Sequence, residues 1–485
     1  MTHHNDVVIV GAGIVGSAIA REIARYEMKV VVLEKGTDVA VGTSKANSGI
    51  VHAGYSEKPG TKKARFAVEG QKRFDHLAEE LDFSFKRIGS MVICFDEEGK
   101  QTLDKLKQQG EENGLKGLKI LDYQEAKLRE PNLGKNVYAV LDVPMGGIVS
   151  PYGMTIAYAE NAADNGVEFR FDYEVSQVNK EEDGFFSISS EDVENEDLRS
   201  RVLINAAGLH SDDINNMLSK QRIETKPRLG EYVLLDTTES GLVKHTIFQL
   251  PTKMGKGVLV TPTVGGNILI GPTTIEKETK DDFSATREGL MHVIEKSTLS
   301  IENIKKDKII TSFAGLRAHT ELNDFIVEEA VDVPRLINLC GIESPGLTAA
   351  PAIAKEVERL VISILNPEEK INFNPKRKSA PKFKKLTNEE RHVLIAQNND
   401  YGKVICRCEW VTKGEIIKAL QSPLPINNMD AIKRRTRLGM GRCQGGFCHM
   451  KIVNIIAEEL GIDLKLITKN GKNSNLLMEE NKTNF

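Results

Sequence analysis

Asp6-Val7-Val8-Ile9-Val10-Gly11-Ala12-Gly13-Ile14-Val15-Gly16 is the stretch that decides the fold. The apolar run Val7 to Val10 reads as a buried strand, a helical pattern continues to Tyr26, and a second apolar run covers Lys29 to Leu33. In such a strand, turn, helix and strand unit Gly11 makes the turn, Gly13 admits a pyrophosphate to the backbone, and Gly16 lets the helix lie close on the strand. The helix N-terminus then faces the phosphates. Glu34 closes the second strand about twenty residues after the glycines, where a carboxylate accepts hydrogen bonds from an adenosine ribose. Strand, helix and acidic residue all in register predict a dinucleotide site in an α/β domain, where a merely glycine-rich turn would need none of them. The fingerprint is common to FAD and NAD sites and does not choose between them.

Working outward, 485 residues with 40% hydrophobic and 28% charged side chains describe a globular chain of more than one domain. A net charge of -4 supplies no basic field, which excludes nucleic acid as an expected partner. No leader pattern and no uncharged stretch of membrane length is present, so the expectation is a cytoplasmic protein without a transmembrane segment. Six cysteines are too sparse for a secreted disulfide framework, and four of them lie close together near the end, which points to metal. Residues 61–110 carry helical patterns around a short strand, Ser90 to Phe95. Between 220 and 330, runs such as Tyr232 to Leu235, Val258 to Thr261 and Ile268 to Ile270 are punctuated by Gly and Pro, as in an antiparallel substrate-capping sheet. A buried strand near Asn338 to Gly341 and a helix from about Ala349 return to the nucleotide-binding domain. From 366 the composition turns to Pro, Lys and Asn. The expected division is an oxidoreductase domain over 1–365, a linker over 366–400, a cluster domain over 401–465 and a tail over 466–485.

The segment Gly42-Thr43-Ser44-Lys45-Ala46-Asn47-Ser48-Gly49-Ile50-Val51-His52-Ala53-Gly54 resembles the D-amino-acid oxidase superfamily of FAD-dependent oxidoreductases, in particular its glycerol-3-phosphate and L-2-hydroxyglutarate dehydrogenase branches. Two further segments match in order: Val202-Leu203-Ile204-Asn205-Ala206-Ala207-Gly208 followed by Ser211, and Gly341-Ile342-Glu343-Ser344-Pro345-Gly346-Leu347-Thr348. The resemblance covers most of residues 1–365 and implies FAD rather than NAD. It implies a Rossmann-like FAD-binding domain with an antiparallel-sheet substrate domain. It also implies cofactor contacts from Thr43, Ser44, Asn47, Gly49, Val175, Ala207, Gly208, Gly346, Leu347 and Thr348.

The same resemblance places His52 beside the flavin, where an imidazole can take a hydroxyl proton. A positioning role for His52 competes with that reading. Ser312-Phe313-Ala314-Gly315-Leu316-Arg317 resembles the segment whose arginine holds the substrate's anionic group, a task suited to a bidentate fork. His319 and Tyr55 are lesser candidates. Arg317 would serve phosphate or carboxylate, so a small anionic hydroxy substrate is implied without choosing a branch. The stretch with Lys58-Pro59-Gly60 and Lys63-Ala64-Arg65 is most similar to the hydroxyglutarate enzymes, yet Tyr55-Ser56 departs from their aromatic pair.

Cys406-Arg407-Cys408 and Cys443-Gln444-Gly445-Gly446-Phe447-Cys448 can converge as four thiolates on one metal centre. A [2Fe-2S] cluster and a structural zinc site both use four sulfurs. The surrounding text resembles the bacterioferritin-associated ferredoxin-like [2Fe-2S] domain, a small, mainly helical unit. Arg434, Arg435, Arg437 and Arg442 precede or flank the second pair, where they would stabilise the thiolate charge or form a solvated basic face. Cys94 and Cys340 lie in apolar strands and read as packing residues. This domain follows the flavin domain in the larger subunit of anaerobic glycerol-3-phosphate dehydrogenases. The combined resemblance implies oxidation of sn-glycerol 3-phosphate to dihydroxyacetone phosphate by hydride transfer to FAD. Electrons would then leave through the cluster to a partner redox subunit or a quinone, in the cytoplasm or at the inner membrane face. The competing readings are an L-2-hydroxyglutarate dehydrogenase or oxidase, and a non-catalytic flavin and iron-sulfur redox sensor.

Overall fold

The strand Asn5–Val10 stands in the middle of a parallel sheet whose order is Glu168–Arg170, Val30–Leu33, Asn5–Val10, Leu198–Asn205 and Leu336–Cys340. A computed structural model describes residues 4–251 and 257–479. The alternation of strand side chains sorts the central residues onto two faces. Val7 and Ile9 point to the helices Ile14–Ile23, Pro151–Asp164 and Gly346–Leu365, packing with Ile19, Met154 and Ile353. Val8 and Val10 point the other way, onto Tyr173, Phe186 and Ile188 beside the hairpin Val175–Lys180 and Phe186–Ser190. Both faces are covered, which is why this strand is a continuous apolar run. Each fully buried Val or Ile here contributes about 1.5–3 kcal/mol of transfer free energy.

A second, nine-stranded sheet lies across the carboxyl ends of the parallel strands. Its backbone is the long antiparallel pair Lys226–Leu235 and Ile309–His319, in a register that sets Arg228 opposite Arg317 and Gly230 opposite Gly315. The sheet is wider than residues 220–330. Ser90–Cys94 pairs in parallel with Thr246–Gln249, and Ala139–Val143 and Lys119–Asp122 extend that side. Non-local pairing of this kind leaves no local sequence signal. Cys94 and Cys340 are both fully buried, as packing residues should be.

Two expectations about the C-terminal quarter change. Residues 366–400 are strapped along the larger domain: Arg377 pairs with Glu160 at 2.6 Å, Asn374 O accepts from Asn161 and Asn165, and a helix forms over Asn388–Gln397. The segment 466–479, expected as part of a tail, is anchored to the small domain at Ile467 and Thr468. Ile467 is fully buried and Thr468 bridges to Asn428 and Asn475. The rest of that tail, 480–485, lies outside the described residues. Between strap and tail, a two-stranded ladder (Val404–Cys406, Val411–Thr412) and the helices Lys413–Leu420, Met429–Thr436 and His449–Leu460 form a small unit with its own core around Ile416, Ile432, Ile452 and Ile456.

Candidate active site and cluster site

A cavity of about 1230 Å³ opens between the two sheets, at the carboxyl ends of the parallel strands, where open α/β sheets bind ligands. Its volume exceeds the roughly 300–1,000 Å³ of an ordinary small-molecule pocket. At one end Gly11 and Gly13 line the wall, and Gly11 takes a φ of +104° with its would-be Cβ 2.5 Å from Ala206 O. Glu34 sits there too. Its Oε2 accepts from Ala12 N–H at 2.9 Å and its Oε1 from Gly36 N–H at 2.8 Å. Burial pushes its carboxyl above the ordinary value even though those two N–H groups oppose the shift. Ser44 Oγ accepts from Ile14 N–H at 2.9 Å, tying the segment after Glu34 to the helix start.

Val175, Ala207, Gly208, Thr43, Asn47, Gly346 and Leu347 also line the cavity. Gly42 and Gly208 have nothing within 4 Å of a would-be Cβ, so open space runs beside their backbone. This continuous bare-backbone cradle, ending at a helix N-terminus and a buried carboxylate, fits a dinucleotide. Gly16, Gly49 and Thr348 stand behind the wall. A side chain at Gly16 would fall on Gly11 O, one at Gly49 would meet Val149 O at 2.6 Å, and Thr348 Oγ1 accepts from His52 N–H at 2.9 Å.

The other end holds the two residues assigned to chemistry. His52 lies with its ring 5.8 Å from Phe248 and its Nε2 3.4 Å from Ser344 Oγ. Arg317 reaches the cavity from the long strand pair, and its Nη2 donates to Thr273 O at 3.3 Å. Among the described residues the cavity is lined by five lysines and arginines, and four of them have carboxylate partners. Lys35 pairs with Glu174, Lys63 with Glu343, Arg228 with Glu276 and Lys280 with Asp212. Arg317 has a carbonyl instead of a carboxylate.

His319 also faces the cavity, bound through Nδ1 to Glu343 Oε1 at 3.0 Å, while Lys63 donates to the same oxygen at 2.8 Å. Burial would raise the Glu343 carboxyl, but Lys63 and His319 hold it below the usual range. This Lys63, Glu343 and His319 group was missed as a unit, because residues 280 positions apart form it. Tyr55 does not line the cavity. It is 4% exposed, packed with Val68 and Leu103, and its phenol is pushed up by burial.

In the small domain the thiols meet as two pairs. Cys408 and Cys443 lie with sulfurs 3.6 Å apart. The neighbouring Cys448 thiol, with the Gly439 and Glu409 N–H groups, outweighs burial and lowers the pKa of Cys406. Among the described residues no three ligand-type side chains gather as tightly as a single ion needs. Two pairs of thiols suit a centre of two irons, each taking two thiolates. Each of the four arginines has a carboxylate partner: Arg434 and Arg435 pair with Asp38, Arg437 with Glu409, and Arg442 with Asp236. Carboxylates offer these guanidinium groups shorter, charge-assisted hydrogen bonds.

Residues 6–360 match the family described as FAD dependent oxidoreductase, and residues 404–458 match the BFD-like [2Fe-2S] binding domain. Glycerol 3-phosphate dehydrogenase of Caloramator mitchellensis is 45% identical over 97% of this chain and 98% of its own length. Glycerol 3-phosphate oxidase of Mycoplasma genitalium is 32% identical over 76% of this chain and 97% of its own. The solved structure of dithionite-reduced L-alpha-glycerophosphate oxidase from Mycoplasma pneumoniae, with FAD bound, matches with a TM-score of 0.73 at 29% identity, covering 78% of this chain and 100% of that one. No helix among the described residues is long and apolar enough to cross a membrane. Fold, cradle, paired thiols and both family matches lead to one conclusion: the chain belongs to the FAD dependent oxidoreductase family and is a flavoprotein that also carries a [2Fe-2S] cluster.

Proposed function

We propose that this chain is a dehydrogenase that oxidises sn-glycerol 3-phosphate to dihydroxyacetone phosphate and delivers the electrons to a partner redox protein or a quinone. The observation that carries the reading is Arg317: of the lysines and arginines on the cavity wall among the described residues, it is the one facing a carbonyl rather than a carboxylate. A guanidinium without a neutralising partner in a concave site calls for an anionic ligand group. The substrate named in the Caloramator relative, which is similar along both domains, supplies the choice of phosphate over carboxylate.

The cradle from Gly11 to Glu34, with Ser44, Asn47, Gly208 and Leu347, would hold FAD, and Cys406, Cys408, Cys443 and Cys448 would hold the cluster. FAD supplies two-electron acceptance from a carbon-bound hydride, and a [2Fe-2S] centre supplies one-electron exchange. In this reading Arg317 grips the phosphate and so fixes the secondary alcohol of the substrate. His52, oriented by Thr348 through its backbone and by Ser344 through its ring, takes the hydroxyl proton as the carbonyl forms. Lys63 is paired with Glu343, so it shapes the wall without competing for the anion. Phe248 lies against His52 and limits water around the proton it receives.

Anaerobic titration tests the reading. Glycerol 3-phosphate should bleach the flavin absorption band, and L-2-hydroxyglutarate in a parallel sample should leave it intact. Bleaching by hydroxyglutarate alone would move the assignment to a 2-hydroxy acid. Bleaching by neither would favour a redox sensor that turns over no metabolite.

A further inference from the structure

The segment between Glu34 and Ser44 is held from both sides. On the inner side it borders the dinucleotide cradle: Gly36 binds Glu34, Ala40 N–H donates to Ala12 O at 3.1 Å, and Gly36, Val41 and Gly42 line the cavity. On the outer side it is gripped by the cluster domain. Asp38 is fully buried and receives Arg434 at 2.6 Å and Arg435 at 2.8 and 3.0 Å. Thr37 accepts from Asn428 at 3.1 Å and donates to Asn470 O at 3.2 Å.

These partners converge on one helix. Asn428 caps Met429–Thr436 by accepting from Ala431 N–H, and Arg434 and Arg435 stand in its last turn. A few residues on, Gly439 N–H donates to Cys406, and Gly441 packs against Cys408. One rigid helix thus joins the loop that holds two of the cluster's thiols to the loop that borders the cradle. The other wall of the contact is Glu160, which receives Arg435, Arg377 and Ser422 from the strap and the cluster domain.

We propose that the cluster domain is a structural part of the FAD site: through Asp38 and Thr37 it positions residues 36–42, so that cluster occupancy and FAD affinity are coupled. Thermodynamic linkage makes the coupling reciprocal, each cofactor strengthening the other by the same factor. Asp38 and Arg435 act here as positioning residues, since neither lines the cavity.

The test uses the whole chain and reads FAD binding, not turnover. The FAD dissociation constant is measured by fluorescence quenching on deflavinated protein in a two-by-two design: wild type and Asp38→Asn, each with its cluster intact and after anaerobic oxidative removal of iron and sulfide. Removing the cluster should weaken FAD binding to the wild type about tenfold, equivalent to ~1.4 kcal/mol of coupling. Asp38→Asn with its cluster intact should show the same loss, and stripping its cluster should then add little. Arg435→Lys, which keeps one charged donor to Asp38, should recover part of the affinity. Unchanged FAD affinity in the stripped wild type, which requires no variant to fold, would overturn the proposal. Losses that multiply in the stripped variant would also overturn it, because the coupling would then bypass Asp38.

Discussion

Arg317 owes its position to a residue with no side chain. Gly230 lies opposite Gly315 in the long strand pair, and a Cβ built on Gly230 would fall on the Arg317 guanidinium and 3.0 Å from Pro272 Cβ. Gly230→Ala should therefore push the fork off its line. Steady-state kinetics should show KM for glycerol 3-phosphate raised about tenfold or more, with bound flavin retained. Arg317→Met should raise it further, by about a hundredfold, as expected for losing a charge-assisted anion contact. An unchanged KM in Arg317→Met would remove the residue from the substrate site. The segment around position 317 suggested an anion-anchoring role for its arginine. That among the described residues it faces a carbonyl rather than a carboxylate was not legible there, because that depends on where Glu343, Glu276, Glu174 and Asp212 end up, each beside a different cation.

Local elements were readable wherever the physics is local. The strand, turn and helix around Gly11 emerge as Asn5–Val10 and Ile14–Ile23, because alternation and helical periodicity sort side chains without help from distant residues. The helix expected from about Ala349 begins at Gly346, behind a Pro345 that closes the turn. Ser90–Cys94 was legible as a strand but not as part of the capping sheet, since its partners Thr246–Gln249 and Ala139–Val143 are far along the chain. The cysteine loops belong to the same scale. Cys408 meets Cys443 across two loops, and Cys408→Ser should cost the purified protein most of its iron and acid-labile sulfide. Iron and sulfide analysis decides this; full retention would mean that Cys408 is not a ligand.

At the scale of the molecule, buried ion pairs join the domains, and they respond to pH. Burial alone would raise Asp38 and Glu160, yet Arg435 and Arg434 hold Asp38 low, and Arg377 and Arg435 hold Glu160 low. A carboxyl depressed by folding stabilises the native state fully above its unfolded value, 3.8 for Asp and 4.5 for Glu, and that contribution disappears as pH falls through the folded value. Calorimetric melting temperatures should thus hold nearly level from about pH 7 to 5 and drop steeply below about pH 4. The drop should be shallower in Asp38→Asn, and equal drops in both proteins would show that docking does not carry the acid response. By itself the sequence determined the dinucleotide fingerprint, the acidic residue that follows it and the four-thiol cluster motif, because each is chemistry that demands particular residues at short, fixed spacing. Only the tertiary structure decided which cavity cation among the described residues faces a carbonyl rather than a carboxylate, how wide the capping sheet is, and that Arg434 reaches Asp38 in the larger domain. Those outcomes depend on partners as many as 396 positions apart, and their proximity is a product of packing rather than of any local pattern.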